Sequence, residues 1–233
     1  MFHTSFKSLE HKTESSKTIL YFHGGGYVLN SIDTHDELVS YMSSKMGVEI
    51  FSLDYSLSPE NKFPIQVNQA YEALKEIESR SISISNVSLC GDSAGGHLAL
   101  SLTNKLIEDN QHLPGNQFLI YPMLDPMMET ESYELFKKNF FLTKDTMEWF
   151  WKCFRSNDAD NEDKKFNIMK SISANLNIMI KASEKASKIL IRDFGEIEKL
   201  QVSKKGPTDF VTNSDLKAEK IIIEERSEEH TSE

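Results

Sequence analysis

Residues 87–100 read VSLCGDSAGGHLAL. An apolar run stops at Cys90, the turn Gly91-Asp92-Ser93-Ala94-Gly95 follows, and small and apolar residues resume. A serine at such a strand-to-helix junction sits in a strained turn that lifts its hydroxyl to the top of a sheet. Glycines flank it because the turn leaves no room for side chains there. The same turn aims the N–H of the next residue, Ala94, at an incoming carbonyl oxygen, and the following helix adds its positive end. The chemistry such a turn would serve is nucleophilic acyl transfer, with Ser93 as the candidate nucleophile. It needs a base to take the hydroxyl proton and an acid to orient that base. A Gly-x-Ser-x-Gly turn is common by itself, so the reading needs a second motif.

That motif is His23-Gly24-Gly25-Gly26, directly after the apolar run 18–22. Glycine backbone can come close to a substrate, and its free N–H groups can bind a developing oxyanion. Gly24 and Gly25 are the expected donors, with Ala94 as the third. Losing one such donor costs roughly a hundredfold to a thousandfold in rate. His23 lies at the strand's end, where a histidine is expected to hold the loop by hydrogen bonds and not to act as the base.

These residues must be positioned by a sheet. Apolar runs at 18–22, 48–55, 86–90 and 117–122 read as buried strands, and helical patterns at 34–46, 65–79 and 95–108 separate them. Strand and helix in alternation imply an α/β fold, a parallel sheet of about four strands with helices on both faces. Thr143 is placed to cap a helix with a bulky aromatic face, and 155–165 reads as a polar loop. From about Asn167 the alternation stops. A long amphipathic helical pattern covers 174–200, Ser203 to Phe210 breaks it, and 214–225 reads as another helix.

A third motif lies between the first two, DYSLSPENKFP at Asp54 to Pro64. HGGG, then Tyr-x-x-x-Pro-Glu-x-x-Phe-Pro, then GDSAGG, in this order, resembles the hormone-sensitive-lipase-like family of α/β-hydrolase esterases over about residues 15–165. The resemblance implies hydrolysis of short-chain carboxylic esters through an acyl-serine, with Ser93 as nucleophile and Gly24, Gly25 and Ala94 as oxyanion donors. It also implies an acid and a histidine after the serine, in that order. No apolar strand downstream ends in a suitable acid, and none ends in His-Gly. Asp193 falls inside a helical pattern, His112 in a loop with nothing to orient it, and His230 near the end of the sequence. The triad acid and base therefore stay unassigned, and an incomplete α/β-hydrolase fold is expected.

The remainder looks different. Residues 169–225, and chiefly Lys-Gly-Pro-x-Asp-x-Val-Thr-x-x-Asp at Lys205 to Asp215, resemble the N-terminus of the inositol monophosphatase family. That resemblance implies a Mg²⁺-dependent sugar-phosphate phosphatase, with Asp215 near the metals. One carboxylate does not hold Mg²⁺, so Asp209 and Asp215 are expected to be solvated or capping residues. RSEEHTSE at 226–233 resembles translated sequencing adaptor. The expected organisation is a truncated hydrolase domain at 1–166, a helical fragment at 167–225 and an artefactual tail at 226–233.

Composition narrows the partners. The 233 residues are 39% hydrophobic and 27% charged, as in globular domains. A net charge of -10 argues against non-specific nucleic-acid binding. Cys90 and Cys153 form no CxxC pair, so no metal or redox motif is implied and a reducing compartment is expected. The opening MFHTSFKSLEHKTESSK has no apolar signal core, and no apolar run is long enough to span a bilayer. A cytoplasmic protein is expected, with a small-molecule ester as partner, no cofactor, no nucleic acid and no membrane; composition assigns no oligomeric state.

Overall fold

Side chains in a strand alternate between the two faces of the sheet, and strand β2 (Thr18–Phe22) is buried at every position. Leu20 and Phe22 join one core with Phe51, Leu53, Leu89 and the apolar faces of two helices. Ile19 and Tyr21 join a second core with Ile50, Cys90 and Val39. A strand apolar on both faces therefore belongs in the middle of a sheet covered on both sides.

The computed structural model describes residues 5–9, 17–171, 202–204, 210–212 and 220. The chain divides into two units, Met1–Ser171 and Ile172–Glu233. In the first unit the order is β1 (Ser5–Leu9), β2, α1 (Asp36–Met46), β3 (Glu49–Asp54), α2 (Ile65–Ser79), β4 (Val87–Asp92), α3 (Ala94–Glu108), β5 (Asn116–Ile120), α4 (Glu131–Leu135) and α5 (Lys144–Phe154). The sheet runs β1-β3-β2-β4-β5. Strands β2 to β5 are parallel, as the sequence implies. Strand β1 adds an antiparallel edge, pairing Ser5 with Asp54 and Leu9 with Ile50, which the sequence pattern does not predict.

Helix α2 follows its sequence pattern. Val67, Ala70, Leu74 and Ile77 recur every three or four residues and are fully buried, each large one contributing about 1.5–3 kcal/mol. Helix α1 stops at Gly47, whose left-handed backbone (φ 63°) returns its N–H to Ser43 O. Helix α5 starts as expected at Thr143, whose side chain accepts from the Thr146 N–H. The polar stretch after it is not all loop: Asp158–Glu162 forms a 3-10 turn closed by a capping box between Asn157 and Asp160.

Among the described residues strand β5 is the other edge. Its pattern is exposed or half-buried throughout, with Phe118 50% exposed and Tyr121 just beyond it 72% exposed. In the second unit, β6 (Val202–Lys204) and β7 (Phe210–Thr212) pair antiparallel where the sequence suggests only a helix break. The helical readings of 174–200 and 214–225 lie outside the described residues, apart from Lys220, which is helical. No described helix is long and apolar enough to cross a membrane.

Candidate active site

Ser93 occupies the junction between β4 and α3 with φ 50° and ψ -115°. A residue with a side chain is strained there by about 1–3 kcal/mol, and the surrounding structure has to hold it. It does so through the backbone. The Ser93 N–H donates to Ile120 O at 2.9 Å, and Ser93 O accepts from Met123 N–H at 3.0 Å and His97 N–H at 3.1 Å. The side chain caps nothing, has no hydrogen-bond partner among the described residues and is half-buried. Two residues on, a methyl group at Gly95 would lie 1.9 Å from Phe22 O and 2.8 Å from His23 O. That close approach presses the start of α3 against the end of β2.

The glycine loop follows β2 and is gripped from below by Asp92. Asp92 Oδ1 accepts the Gly24 N–H at 2.9 Å and the Tyr21 hydroxyl at 2.7 Å. His35 Nε2 is 3.6 Å from the same oxygen, an electrostatic neighbour and not a hydrogen bond. Burial, then the bond to Asp92, pushes the Tyr21 phenol far up, so it stays a donor. This corrects one expectation: the Gly24 amide is spent on Asp92 and is not free to meet an oxyanion. The next two amides are different. Gly25 accepts from Val28 and Leu29 through its carbonyl, yet the N–H groups of Gly25 and Gly26 have no partner among the described residues. The Ala94 N–H, in the first turn of α3, is likewise unpaired. Gly26 needs to be glycine twice over: its φ is 61°, and a methyl there would lie 2.3 Å from the ring of Phe150.

The described histidines are His23, His35, His97 and His112. His23 is fully buried and its Nδ1 faces Gly24 O at 2.8 Å. A carbonyl only accepts, so the proton sits on Nδ1. The ring stacks on Tyr55 at 4.2 Å, and the Tyr55 hydroxyl donates to His23 O at 2.7 Å. Burial pushes the imidazole below its ordinary pKa, so His23 is a neutral brace under the loop. His97 is fully buried too, between Tyr27 and Phe166. His35 bonds Thr34 at 3.0 Å, and His112 is exposed. None of them bonds the Ser93 hydroxyl. Asp193, Asp209, Asp215 and His230 lie outside the described residues. Sequence reasoning passed over Asp92, Tyr21, Tyr55 and His97. An acid directly after an apolar strand, inside the serine turn, was the available signal that Asp92 is buried and bonded. No group of three or more His, Cys, Asp or Glu among the described residues is arranged to hold a metal.

Comparison with known proteins agrees with this geometry. A family model described as the alpha/beta hydrolase fold matches residues 19–186. The chain belongs to the α/β-hydrolase fold family. The matched stretch extends past 166, where the sequence places the end of the hydrolase segment. The chain is 32% identical to an ethyl acetate hydrolase of Pseudomonas putida over 163 residues, 67% of this chain and 51% of that one. It is 33% identical to the carboxylic ester hydrolase LipN of Mycobacterium tuberculosis over 160 residues, 64% of this chain and 42% of that one. Among solved structures, an ester hydrolase from the metagenome of Lake Arreo, complexed with a bipyridine phosphonate derivative, superposes with TM-score 0.65 and 30% identity over 70% of this chain and 54% of that one. This α/β-hydrolase chain thus spans about half the length of the curated relatives it matches.

Proposed function

We propose that the chain is a serine carboxylic-ester hydrolase in which Ser93 takes the acyl group and the amides of Gly25, Gly26 and Ala94 hold the oxyanion. One observation carries this: a strained, half-buried serine whose hydroxyl has no partner among the described residues ends the strand next to the one that leads into a glycine loop, whose second and third amides are also unpaired among them. Such donors, fixed before the reaction, stabilise charge that develops on the carbonyl oxygen without reorganising. Gly26 replaces Gly24 in this reading because Asp92 holds the Gly24 amide. The relatives' names, ethyl acetate hydrolase and carboxylic ester hydrolase, support a small-molecule ester as substrate.

The reading includes a defect. No described histidine bonds the Ser93 hydroxyl, so among the described residues acyl transfer has no positioned base. The oxyanion donors and binding alone then supply roughly a thousandfold to ten-thousandfold over water, as in serine proteases stripped of their triad. The chain is expected to turn over p-nitrophenyl acetate slowly and to take up a fluorophosphonate probe on Ser93, with both lost in Ser93→Ala. Turnover unchanged by Ser93→Ala would defeat the assignment. Two cysteines, both free, keep a reducing, cytoplasmic setting in the proposal. The phosphatase reading of 169–225 rests on the Lys205-to-Asp215 motif, and nothing among the described residues adds to it.

A further inference from the structure

His97 is buried in α3, one turn past the serine, and binds at both ends. Its Nε2 lies 2.8 Å from Phe166 O and its Nδ1 2.6 Å from the Tyr27 hydroxyl. The carbonyl can only accept, so Nε2 carries the proton. Nδ1 is then bare and accepts from the phenol. Only a neutral imidazole fills both roles at once. Burial favours that form, pushing His97 down to about 4. Burial also raises the Tyr27 phenol, which keeps its proton.

Both partners lead somewhere. Tyr27 directly follows Gly26, has φ 65° and is fully buried, stacked on Phe154 at 3.7 Å. Its carbonyl accepts from Ser58 N–H at 2.8 Å. Phe166 ends a run of three carbonyls gripped by one face of α3: Asn104 Nδ2 donates to Lys164 O at 2.7 Å, Ser101 Oγ to Lys165 O at 2.6 Å, and His97 to Phe166 O. Positions 97, 101 and 104 share a helix face. The Phe166 ring completes the stack against Phe154.

We infer that His97 is a positioning residue, a strut through which the docked 164–166 segment fixes the exit of the glycine loop. The inference rests on the reading of Gly25 and Gly26 as oxyanion donors. Removing the Tyr27 hydroxyl loosens the loop's downstream end, and that freedom weakens the seat of its upstream end, the Gly24 N–H, on Asp92. The loop then samples orientations in which the amides of Gly25 and Gly26 are no longer held in one place.

The test compares Tyr27→Phe, which keeps the stacking ring, and His97→Gln with Asn104→Ala, which loosens the same segment without touching the strut. Hydrogen exchange of the Gly24 N–H reports whether the loop is seated on Asp92, and the amide of Leu89 in β4 reports global opening. Tyr27→Phe and His97→Gln are expected to lower Gly24 protection about tenfold relative to Leu89, and to slow fluorophosphonate labelling of Ser93 by a similar factor. Asn104→Ala is expected to leave both within about twofold. A purely structural role predicts that Gly24 and Leu89 lose protection together, and that outcome, or an unchanged Gly24, overturns the strut. If the unaltered chain is not labelled at all, the reading of Ser93 fails, while Gly24 exchange still decides whether the strut holds the loop.

Discussion

Ser93 stands at the end of β4 between two unlike flanks. Toward β2, the neighbouring groups are closely packed: Asp92 holds Gly24 and Tyr21, His23 is stacked on Tyr55, and Gly95 lies against the Phe22 carbonyl. Toward β5, the serine backbone is tied to Ile120 and Met123, but that strand is an edge whose Phe118 is half in solvent. The first flank presents the amides that the proposed reading assigns to an oxyanion. The second offers the hydroxyl no partner among the described residues. On the proposed reading the two halves of acyl-transfer chemistry are separable in this fold: charge stabilisation would come from the β2 side, and proton transfer would have to arrive from the other.

The largest effect is expected on the closed flank. Gly95→Ala drives a methyl to within 1.9 Å of a backbone carbonyl that has nowhere to move. A loss of about 3 kcal/mol or more is expected in urea unfolding, at the upper end of overpacking costs. Gly47→Ala is the control: nothing lies within 4 Å of its added methyl, and only the left-handed backbone resists, at about 1–2 kcal/mol. Equal losses at the two sites would show that α3 is not pressed against β2 as described.

A smaller effect is expected on the open flank. If no base faces the Ser93 hydroxyl, a small base from solution should partly replace it. Imidazole is expected to raise the Ser93-dependent hydrolysis of p-nitrophenyl acetate roughly tenfold, part of the 10²–10⁴-fold that a positioned base gives. Ser93→Ala should show only the reaction of imidazole with the ester in solution. A fast unassisted rate, indifferent to imidazole, would mean that the flank carries a base after all, and the contrast would collapse.

What the sequence made legible follows from the range of the interactions involved. Helix α2 (Ile65–Ser79) was readable to the residue because its apolar positions and its end are local. The serine turn was readable because glycines must flank it. The Gly24 amide was misassigned because its fate depends on which way Asp92 turns, a contact 68 positions away. His97 was passed over because both its partners, Tyr27 and Phe166, lie about 70 positions off. Strand β1 escaped because Ser5–Leu9 is mostly polar and owes its form to the ladder offered by β3.

The smallest effect on stability, and the last way to sharpen the contrast, concerns the β5 edge. NQFLI carries no charge and no proline, the devices by which edge strands resist pairing with other chains. Phe118→Lys adds one. Phe118 is already 50% exposed, so the urea midpoint is expected to move by less than about 0.5 kcal/mol, while self-association in sedimentation velocity falls. The matched change in the covered strand, Leu89→Lys, buries a charge at a position with no exposure and is expected to abolish folding. A loss above about 2 kcal/mol from Phe118→Lys would show that this edge is covered in solution, and the open flank of Ser93 would then be closed by something the strand already binds.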